Sequence, residues 1–218
     1  MSKIFIVGIS GGVGSRLVPK LLKDGHEVSG LVRRTEAAED LRQAGVTPYL
    51  GDLMEMSVEK LTEMIRGHDV IVFSAGAAGS GADRTRVIDF ETPVNLTLAA
   101  QSSGINRLYL VSAFMDSLRG QQTSEGFEFY MKMKRAADNA LVASGLDYVI
   151  VRPGTLVSEE GTGLVNLDRA IDYGTVARGN VAAVLAELIN TPQIKQEIIE
   201  LTEGDIAVSE AVQNLQRR

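Results

Sequence analysis

Cysteine is absent from the 218 residues of this chain. Its absence excludes disulfide bonds, thiolate catalysis and cysteine-ligated metals, and it fits a reducing compartment such as the cytoplasm. The two histidines, His26 and His68, each precede a predicted strand, and neither has a partner at the spacing of a metal ligand. The sequence therefore predicts no metal site.

Long apolar runs and an excess of basic residues are absent as well. The apolar segment after Met1, Ser2 and Lys3 spans five residues, too short for the apolar region of a signal peptide, and no run approaches transmembrane length. The formal charge of −6 argues against non-specific binding to nucleic acid, although it leaves room for a local basic pocket around a phosphate. We expect a soluble, cytoplasmic protein that binds a small-molecule substrate, with no nucleic acid and no membrane as partner.

Repeats, low-complexity tracts and linkers are lacking too, so residues 1–218 are predicted to form a single domain. Short apolar runs alternate with longer amphipathic segments, and the first run is apolar without interruption, which is typical of a strand buried on both faces. This alternation predicts an α/β fold, a Rossmann-type doubly wound parallel sheet. The predicted strands are 3–8, 26–33, 46–50, 69–74, 106–112, 146–151 and 197–201, and the predicted helices are 12–24, 36–44, 57–66, 83–103, a segment within 123–144, 178–190 and 208–216.

Two segments interrupt the alternation. Residues 113–125 form a long connection between a strand and a helix, and residues 155–177 are rich in Gly, Thr and acidic residues. Each follows a strand whose carboxyl end is expected to face the ligand crevice. We interpret both as substrate-side loops. Within the predicted helix 83–103, Pro93 marks either a bend or the true start of the helix.

A glycine-rich turn follows the first strand. Glycines at 8, 11 and 14 have the spacing of a dinucleotide-binding loop, in which the first allows a tight turn, the second lets the backbone approach a diphosphate, and the third lets helix and sheet pack closely. The start of the next helix offers unpaired N–H groups to phosphate oxygens. The residues predicted to bind the cofactor here are Gly8, Ser10, Gly11, Gly12, Val13 and Gly14.

The end of the second strand distinguishes between cofactors. An acid at this point accepts from the ribose 2′-hydroxyl of NAD, whereas arginine accommodates the 2′-phosphate of NADP. Here Arg33 and Arg34 follow the strand, and no acid appears before Glu36. Guanidinium groups suit a phosphate dianion. The sequence thus favours NADP(H) over NAD(H), and Glu36 keeps the second reading open.

Two further turns at the same sheet edge are candidates for cofactor contact. Asp52 and Leu53 follow strand three, where Asp52 either accepts from the adenine amino group or caps the next helix. Ser74, Ala75 and Gly76 follow strand four and are small enough to let the cofactor backbone pass closely.

These motifs together resemble the atypical short-chain dehydrogenase/reductases. The resemblance covers nearly the whole chain, and it is nearest to the small NAD(P)H-binding branch that includes flavin reductase/biliverdin-IXβ-reductase-like and NmrA-like proteins. It implies a Rossmann fold, a nicotinamide cofactor and, in many members, hydride transfer. The segments that carry it are the glycine loop, SAGA at 74–77, VSAF at 111–114, Tyr-x-x-x-Lys at 130–134 and SGLDYVIVRPG at 144–154.

The resemblance also implies a catalytic set of Ser112, Tyr130 and Lys134. Tyr130 and Lys134 are four residues apart and hence share a helix face, where the ammonium is expected to lower the phenol pKa toward neutrality. Ser112 would hydrogen-bond the substrate carbonyl, and Lys134 would also bind the nicotinamide ribose. Pro153 either approaches the nicotinamide or simply ends strand six.

The leading hypothesis is an NADPH-dependent oxidoreductase that transfers hydride to a small carbonyl, quinone or flavin-like acceptor. Ala113 and Phe114 stand where many relatives carry a second hydroxyl, which leaves a non-catalytic NADP(H)-sensing regulator as the alternative. A nucleotide-sugar epimerase is less favoured because the chain after strand six is short for a substrate domain. The sequence leaves open whether the protein is a monomer or a homodimer.

Overall fold

Eleven strands occur in the part of the chain that a computed structural model describes, residues 1–118 and 121–216. Each predicted strand is present, with bounds that differ by one or two residues. The strands are β1 (Lys3–Val7), β2 (Glu27–Val32), β3 (Thr47–Leu50), β4 (Val70–Phe73), β5 (Arg107–Val111), β6 (Asp147–Pro153), β7 (Thr155–Val157), β8 (Leu164–Asp168), β9 (Thr175–Ala177), β10 (Glu197–Glu203) and β11 (Ile206–Ala207).

The helices follow the predicted alternation. They are α1 (Gly14–Lys23), α2 (Thr35–Gln43), α3 (Val58–Ile65), α4 (Ala82–Arg86), α5 (Thr92–Ser103), α6 (Glu125–Val142), α7 (Arg178–Asn190) and α8 (Val208–Gln216). A short 3₁₀ turn spans Leu53–Glu55. The described residues include no helix that combines the length and the apolarity required to cross a bilayer.

Strand β1 lies between β2 and β4 in the doubly wound sheet. The neighbouring strands β3-β2-β1-β4-β5-β6 are all parallel. The chain order runs outward from β1 in both directions, to β3 on one side and to β6 on the other, so a crevice opens between β1 and β4. In register, Val7 lies beside Leu31 on one side and Phe73 on the other. The strands therefore end together at one edge, and the Rossmann fold predicted from the sequence is confirmed.

The far edge of the sheet departs from the prediction. Strand β10 continues the parallel order beside β6, but β8 is antiparallel to β10, and β11 is antiparallel to β8. Segment 155–177, predicted as a loop, thus contains β7, β8 and β9. In β8 the buried Val165 and Leu167 alternate with the exposed Leu164 and Asn166, a period-2 pattern too short to stand out in a segment rich in glycine and acids.

Side chains alternate between the two faces of β1. Ile4 and Ile6 pack into one core with α1, α7 and α8, whereas Phe5 and Val7 pack into a second core with α3, α5 and α6. All four side chains are fully buried. Helices cover both faces of the sheet, and its open edge is the one where the strands end.

The predicted helix 83–103 is continuous in the structure but changes its winding in the middle. A π-helical segment, Val87–Glu91, joins α4 to α5, and Pro93 lies in the first turn of α5. Proline is tolerated here because the π-helical turn before it already departs from the regular hydrogen-bond pattern of an α-helix. Pro93 marks the start of the regular helix, as one reading of the sequence had it.

Helix α6 begins after Ser124, whose hydroxyl accepts from the Phe127 N–H at 3.2 Å. Residues 119 and 120 of the predicted loop 113–125 lie outside the described residues.

The junction between β6 and the small β7–β9 sheet requires a glycine at position 154, where there is no room for a side chain. A Cβ on Gly154 would overlap the carbonyl oxygen of Gly174, a backbone atom that cannot yield without displacing the strand. We expect Gly154→Ala to lower the free energy of unfolding by about 1–3 kcal/mol, measured by urea denaturation. Gly126→Ala in α6 is the control, because the nearest atom to its added Cβ is 3.9 Å away. Equal stability of the two variants would contradict this account.

Candidate functional site

A cleft of about 1010 Å³ opens where strands β1, β2, β4 and β5 end. Its walls come from the glycine loop, the turns after these strands and the first turns of α6. Among the predicted site residues, it is lined by Gly8, Ser10, Gly11, Gly12, Val13, Arg33, Arg34, Asp52, Leu53, Ser74, Ala75, Gly76, Ser112, Tyr130 and Lys134. Gly14 and Pro153 are not part of the lining. Pro153 is buried as the last residue of β6, the role given by the alternative reading.

The glycine loop has the geometry that its spacing indicates. Gly8 has φ +94°, and a Cβ there would lie 2.6 Å from the Ala75 nitrogen, so the turns after β1 and β4 approach closely. A Cβ on Gly14 would overlap the carbonyl oxygen of Gly8. The absence of a side chain at Gly14 therefore lets α1 begin directly against the turn after β1. The Gly11 N–H donates to Gly8 O at 2.9 Å and closes the turn.

Anion-binding groups occur at two places in the cleft. The N–H groups of Gly12 and Val13 have no protein acceptor in residues 1–118 and 121–216, since the helical hydrogen bonds begin at Ser15. Arg33 and Arg34 are exposed where β2 ends, and both line the cleft. A backbone cradle and two guanidinium groups on one cleft fit a dinucleotide, which carries a diphosphate and charged or polar groups at its ribose.

Asp52 fills the capping role that the sequence left open. Its carboxylate accepts from the Met54 N–H at 3.0 Å and so caps the 3₁₀ turn Leu53–Glu55. Because Asp52 also lines the cleft, the capped carboxylate remains beside the space available to a base.

The three residues predicted to be catalytic all line the cleft. Ser112 directly follows β5, and Lys134 Nζ lies 5.8 Å from the centre of the Tyr130 ring, as expected for residues four apart on a helix. Lys134 is almost completely buried and donates to Val111 O at 3.3 Å. The structure therefore brings together the side chains that the sequence grouped.

A buried carboxylate that was not predicted holds Lys134. Asp89 Oδ1 lies 3.1 Å from Lys134 Nζ, and the side chains are 0% and 4% exposed. The other oxygen, Oδ2, accepts from the Ala77 N–H at 3.2 Å. Asp89 belongs to the π-helical segment, a kind of helix distortion often found at functional sites. The cue in the sequence is an acid flanked by the apolar Ile88 and Phe90.

A second buried carboxylate, that of Asp138, lies on α6 one helical turn after Lys134. Asp138 Oδ2 accepts from Arg152 Nε at 3.0 Å and lies 2.9 Å from Arg152 Nη2. Burial raises the pKa of Asp138, while the Ser112 hydroxyl and the Arg152 guanidinium act in the opposite direction, and the net pKa is above its usual value. Ser112 is thus positioned beside a carboxylate as well as at the cleft.

The expected lowering of the Tyr130 pKa is wrong in sign. Burial raises the pKa of Tyr130 and is the largest influence; the Lys134 ammonium lowers it, but Asp89 and Asp138 raise it further. Burial also tends to lower the pKa of Lys134, yet Tyr130 and Asp89 outweigh that effect and raise it. The ammonium stays charged, and the phenol keeps its proton at neutral pH. The sequence showed the neighbouring cation but not the burial or the two carboxylates.

These features define a Rossmann-type dinucleotide-binding protein. A family model described as NAD(P)H-binding matches residues 8–192, and the chain belongs to that family. The resemblance drawn from the sequence motifs is confirmed at this level.

Three relatives illustrate the range of the family. A Bacillus subtilis protein named as an uncharacterized sugar epimerase is 35% identical over 98% of this chain and all of its own length. A solved structure from Bacillus halodurans, described as a candidate NAD-dependent epimerase/dehydratase, superimposes with a TM-score of 0.89, 31% identity, and coverage of 99% of this chain and 100% of its own. The Escherichia coli protein ChuY, described as an anaerobillin reductase, superimposes with a TM-score of 0.75 and 26% identity over 94% of this chain and 98% of its own.

The Asp89–Lys134 pair yields a stability prediction. Asp89→Leu should lower the free energy of unfolding by about 3–5 kcal/mol, because it leaves a buried ammonium without its counter-charge, and Lys134→Met should do the same by leaving a buried carboxylate. The double variant Asp89→Leu/Lys134→Met should lose less than either single change, since it removes both charges together. Urea denaturation measures all three variants. Glu27→Ala is the control, because it breaks a pair with Lys3 whose side chains are 54% and 55% exposed and should cost at most about 1 kcal/mol. Strictly additive losses in the double variant would contradict the coupling.

Proposed function

We propose that this protein is an NADPH-dependent oxidoreductase that transfers hydride to a small carbonyl, quinone or flavin-like acceptor. One observation carries the proposal: Ser112, Tyr130 and Lys134 line the same cleft as the glycine loop and the paired arginines. A nicotinamide placed there would supply the hydride. The proton and the positioning must come from the protein.

Tyr130 is suited to act as the proton donor. Its pKa is raised, so the phenol is protonated at neutral pH and is available as a proton donor rather than as a base. Reduction of a carbonyl or quinone places negative charge on an oxygen, which Tyr130 can protonate while the Ser112 hydroxyl binds the same oxygen. The acid–base state of Tyr130 thus favours the direction of reduction.

Lys134 would position the cofactor and stabilise the tyrosinate left after proton transfer. Its ammonium has three N–H donors. Two are directed at Asp89 and Val111 O, which leaves one for a ribose hydroxyl or the Tyr130 oxygen. A single available donor at a fixed angle orients what it binds.

Apolar and aromatic side chains contribute to the lining of the cleft. Ile88, Phe127, Phe129 and Leu156 line it, and the Phe127 ring lies 6.3 Å from that of Tyr130. Apolar and aromatic walls with few polar groups suit a planar conjugated molecule. Among the proposed acceptors they favour a quinone or a flavin over a small polar carbonyl compound.

Individual observations also support two other functions, a cofactor-sensing regulator and a nucleotide-sugar epimerase. Ala113 and Phe114, buried after β5, leave the site without the second hydroxyl common in catalytic relatives, which favours a cofactor-sensing regulator. The epimerase names of two relatives raise a nucleotide-sugar epimerase. Most of the chain beyond β6 completes the sheet or covers it, and of its described residues only Leu156 of β7 and Arg178 at the start of α7 line the cleft. This arrangement gives little room for a sugar-nucleotide domain and favours the reductase.

Activity in Tyr130→Phe tests the catalytic proposal. The rate of NADPH oxidation with quinone and flavin acceptors should fall about 100-fold or more, because the proton donor is lost while the ring remains. In the parent protein the rate should stay level from about pH 6 to pH 9 and fall only as the pH rises toward the raised phenol pKa. Tyr49→Phe is the control, since this β3 ring packs on Phe5, outside the cleft. Undiminished turnover in Tyr130→Phe, or a fall in rate near neutral pH, would refute the role; tight NADPH binding without turnover on any acceptor would favour the sensor.

Cofactor preference is tested by removing the arginines. Arg33→Ala/Arg34→Ala should weaken NADPH binding roughly 10- to 100-fold, and NADH binding by much less, because charge-assisted hydrogen bonds to the 2′-phosphate are lost. Fluorescence titration of both cofactors measures the two effects. Arg42→Ala/Arg135→Ala changes the net charge equally at exposed positions outside the cleft and serves as the control. Equal weakening of both cofactors, or tighter binding of NADH by the parent protein, would overturn the preference for NADP(H).

A further inference from the structure

Arg178, the first residue of α7, lies against the glycine loop although it is far from it in sequence. A Cβ on Gly12 would be 2.5 Å from Arg178 Cδ and 2.9 Å from Arg178 Nε. The side chain of Arg178 therefore occupies the space that the missing side chain of Gly12 leaves. Both residues line the cleft. The charged end of α7 is thus placed directly at the loop.

A short segment, Ser158–Glu160, which we call the strap, holds Arg178 in this position. Ser158 Oγ accepts from Arg178 Nη1 at 2.8 Å, and Glu159 O accepts from the Gly179 N–H at 3.0 Å. A Cβ on Gly179 would overlap the carbonyl oxygen of Glu160, so the strap and α7 are in direct backbone contact. The guanidinium is therefore oriented before any ligand arrives.

The strap also reaches the helix that follows the glycine loop. Glu160 Oε1 lies 2.8 Å from Arg16 Nε, and Arg16 Nη1 donates to Gly12 O at 2.8 Å. The charge of Arg16 is consequently matched by a carboxylate. Arg178 instead donates to a neutral hydroxyl and takes part in none of the ion pairs found in residues 1–118 and 121–216.

The loop itself offers no positive side chain. Residues 8–14 read GISGGVG, with neither lysine nor arginine. Backbone N–H groups and the helix dipole supply partial charge only. A dinucleotide diphosphate carries two full negative charges, and an oriented guanidinium can donate two parallel hydrogen bonds to its oxygens. The fold provides one such group at the loop, and its charge is not already matched.

We propose that Arg178 binds the diphosphate of the dinucleotide, so that the start of α7 completes a site begun by the glycine loop. The inference rests on the dinucleotide binding in the proposed function, and it adds a residue that no glycine motif identifies. Arg33 and Arg34 bind at the adenosine ribose in that scheme, whereas Arg178 binds at the loop. The two sets of arginines should therefore discriminate between different ligand fragments.

Two ligand fragments separate the possibilities by calorimetric titration of the full chain. ADP-ribose carries the diphosphate without a 2′-phosphate, and adenosine 2′-monophosphate carries the 2′-phosphate without a diphosphate. Arg178→Ala should weaken ADP-ribose binding roughly 10- to 100-fold and change adenosine 2′-monophosphate binding less than about twofold. Arg33→Ala/Arg34→Ala should give the reverse pattern. Arg135→Ala, an exposed change of the same charge, should affect neither ligand.

Arg178→Lys keeps the charge but loses the forked donor, and its affinity for ADP-ribose should lie between those of the parent and Arg178→Ala. This conservative variant also preserves the test should Arg178→Ala fail to fold. Unchanged binding of ADP-ribose, equal weakening of both fragments, or a parent protein that binds neither would overturn the proposal. Because no hydride is transferred in these titrations, weakened ADP-ribose binding supports the role of Arg178 even if no acceptor is ever reduced.

Discussion

The buried pairing of Asp89 with Lys134 is the interaction on which the reactive end of the cleft depends. Removing both charges from water is costly, and the cost is offset only because each group also bonds the backbone, at Ala77 N and Val111 O. The pair thereby joins the π-helical segment, α6 and the ends of β4 and β5. A shift in any one of these elements would leave a charge unmatched, so the position of Tyr130, on the same helix as Lys134, is held by the same network.

The parts of the fold that were predicted correctly are those specified by local pattern. Helices α7 and α8 have the predicted bounds, 178–190 and 208–216, because α7 is a long, mostly buried apolar segment and α8 is amphipathic. Strands β1, β4, β5 and β6 were recognised because burial on both faces makes each largely an apolar run. Strands β8 and β11 were missed because their partners are remote: Val165 pairs with Glu203 and Ile206, and nothing within β8 specifies those contacts. Short antiparallel strands of this kind depend on tertiary contact more than on their own sequence.

The residues of the candidate site also fall into those that local sequence patterns predict and those that only the tertiary structure reveals. The glycine loop, Arg33, Arg34 and the Tyr130–Lys134 spacing are local features, and they were predicted to meet at one crevice. Asp89 and Arg178 come from other parts of the chain. Only the folded sheet brings Asp89 to α6 and Arg178 to the glycine loop. The direction of the Tyr130 pKa also depends on burial, which the local sequence around one tyrosine does not reveal. Local motifs thus identified the NAD(P)H-binding family, whereas the electrostatics around Tyr130 and Lys134 required the tertiary structure.

Both edges of the nine-stranded sheet, within the described residues, carry features that disfavour strand pairing between molecules. An edge strand with free N–H and C=O groups can pair with a strand of another molecule and begin aggregation. At one edge, β3 has four residues and includes Pro48, which has no N–H to donate. At the other edge, β11 has two residues, too few for a stable intermolecular ladder. At that edge β11 pairs only with Leu164 and Val165 of β8, so the antiparallel addition leaves short strand segments at the border, which disfavours edge-to-edge pairing between molecules.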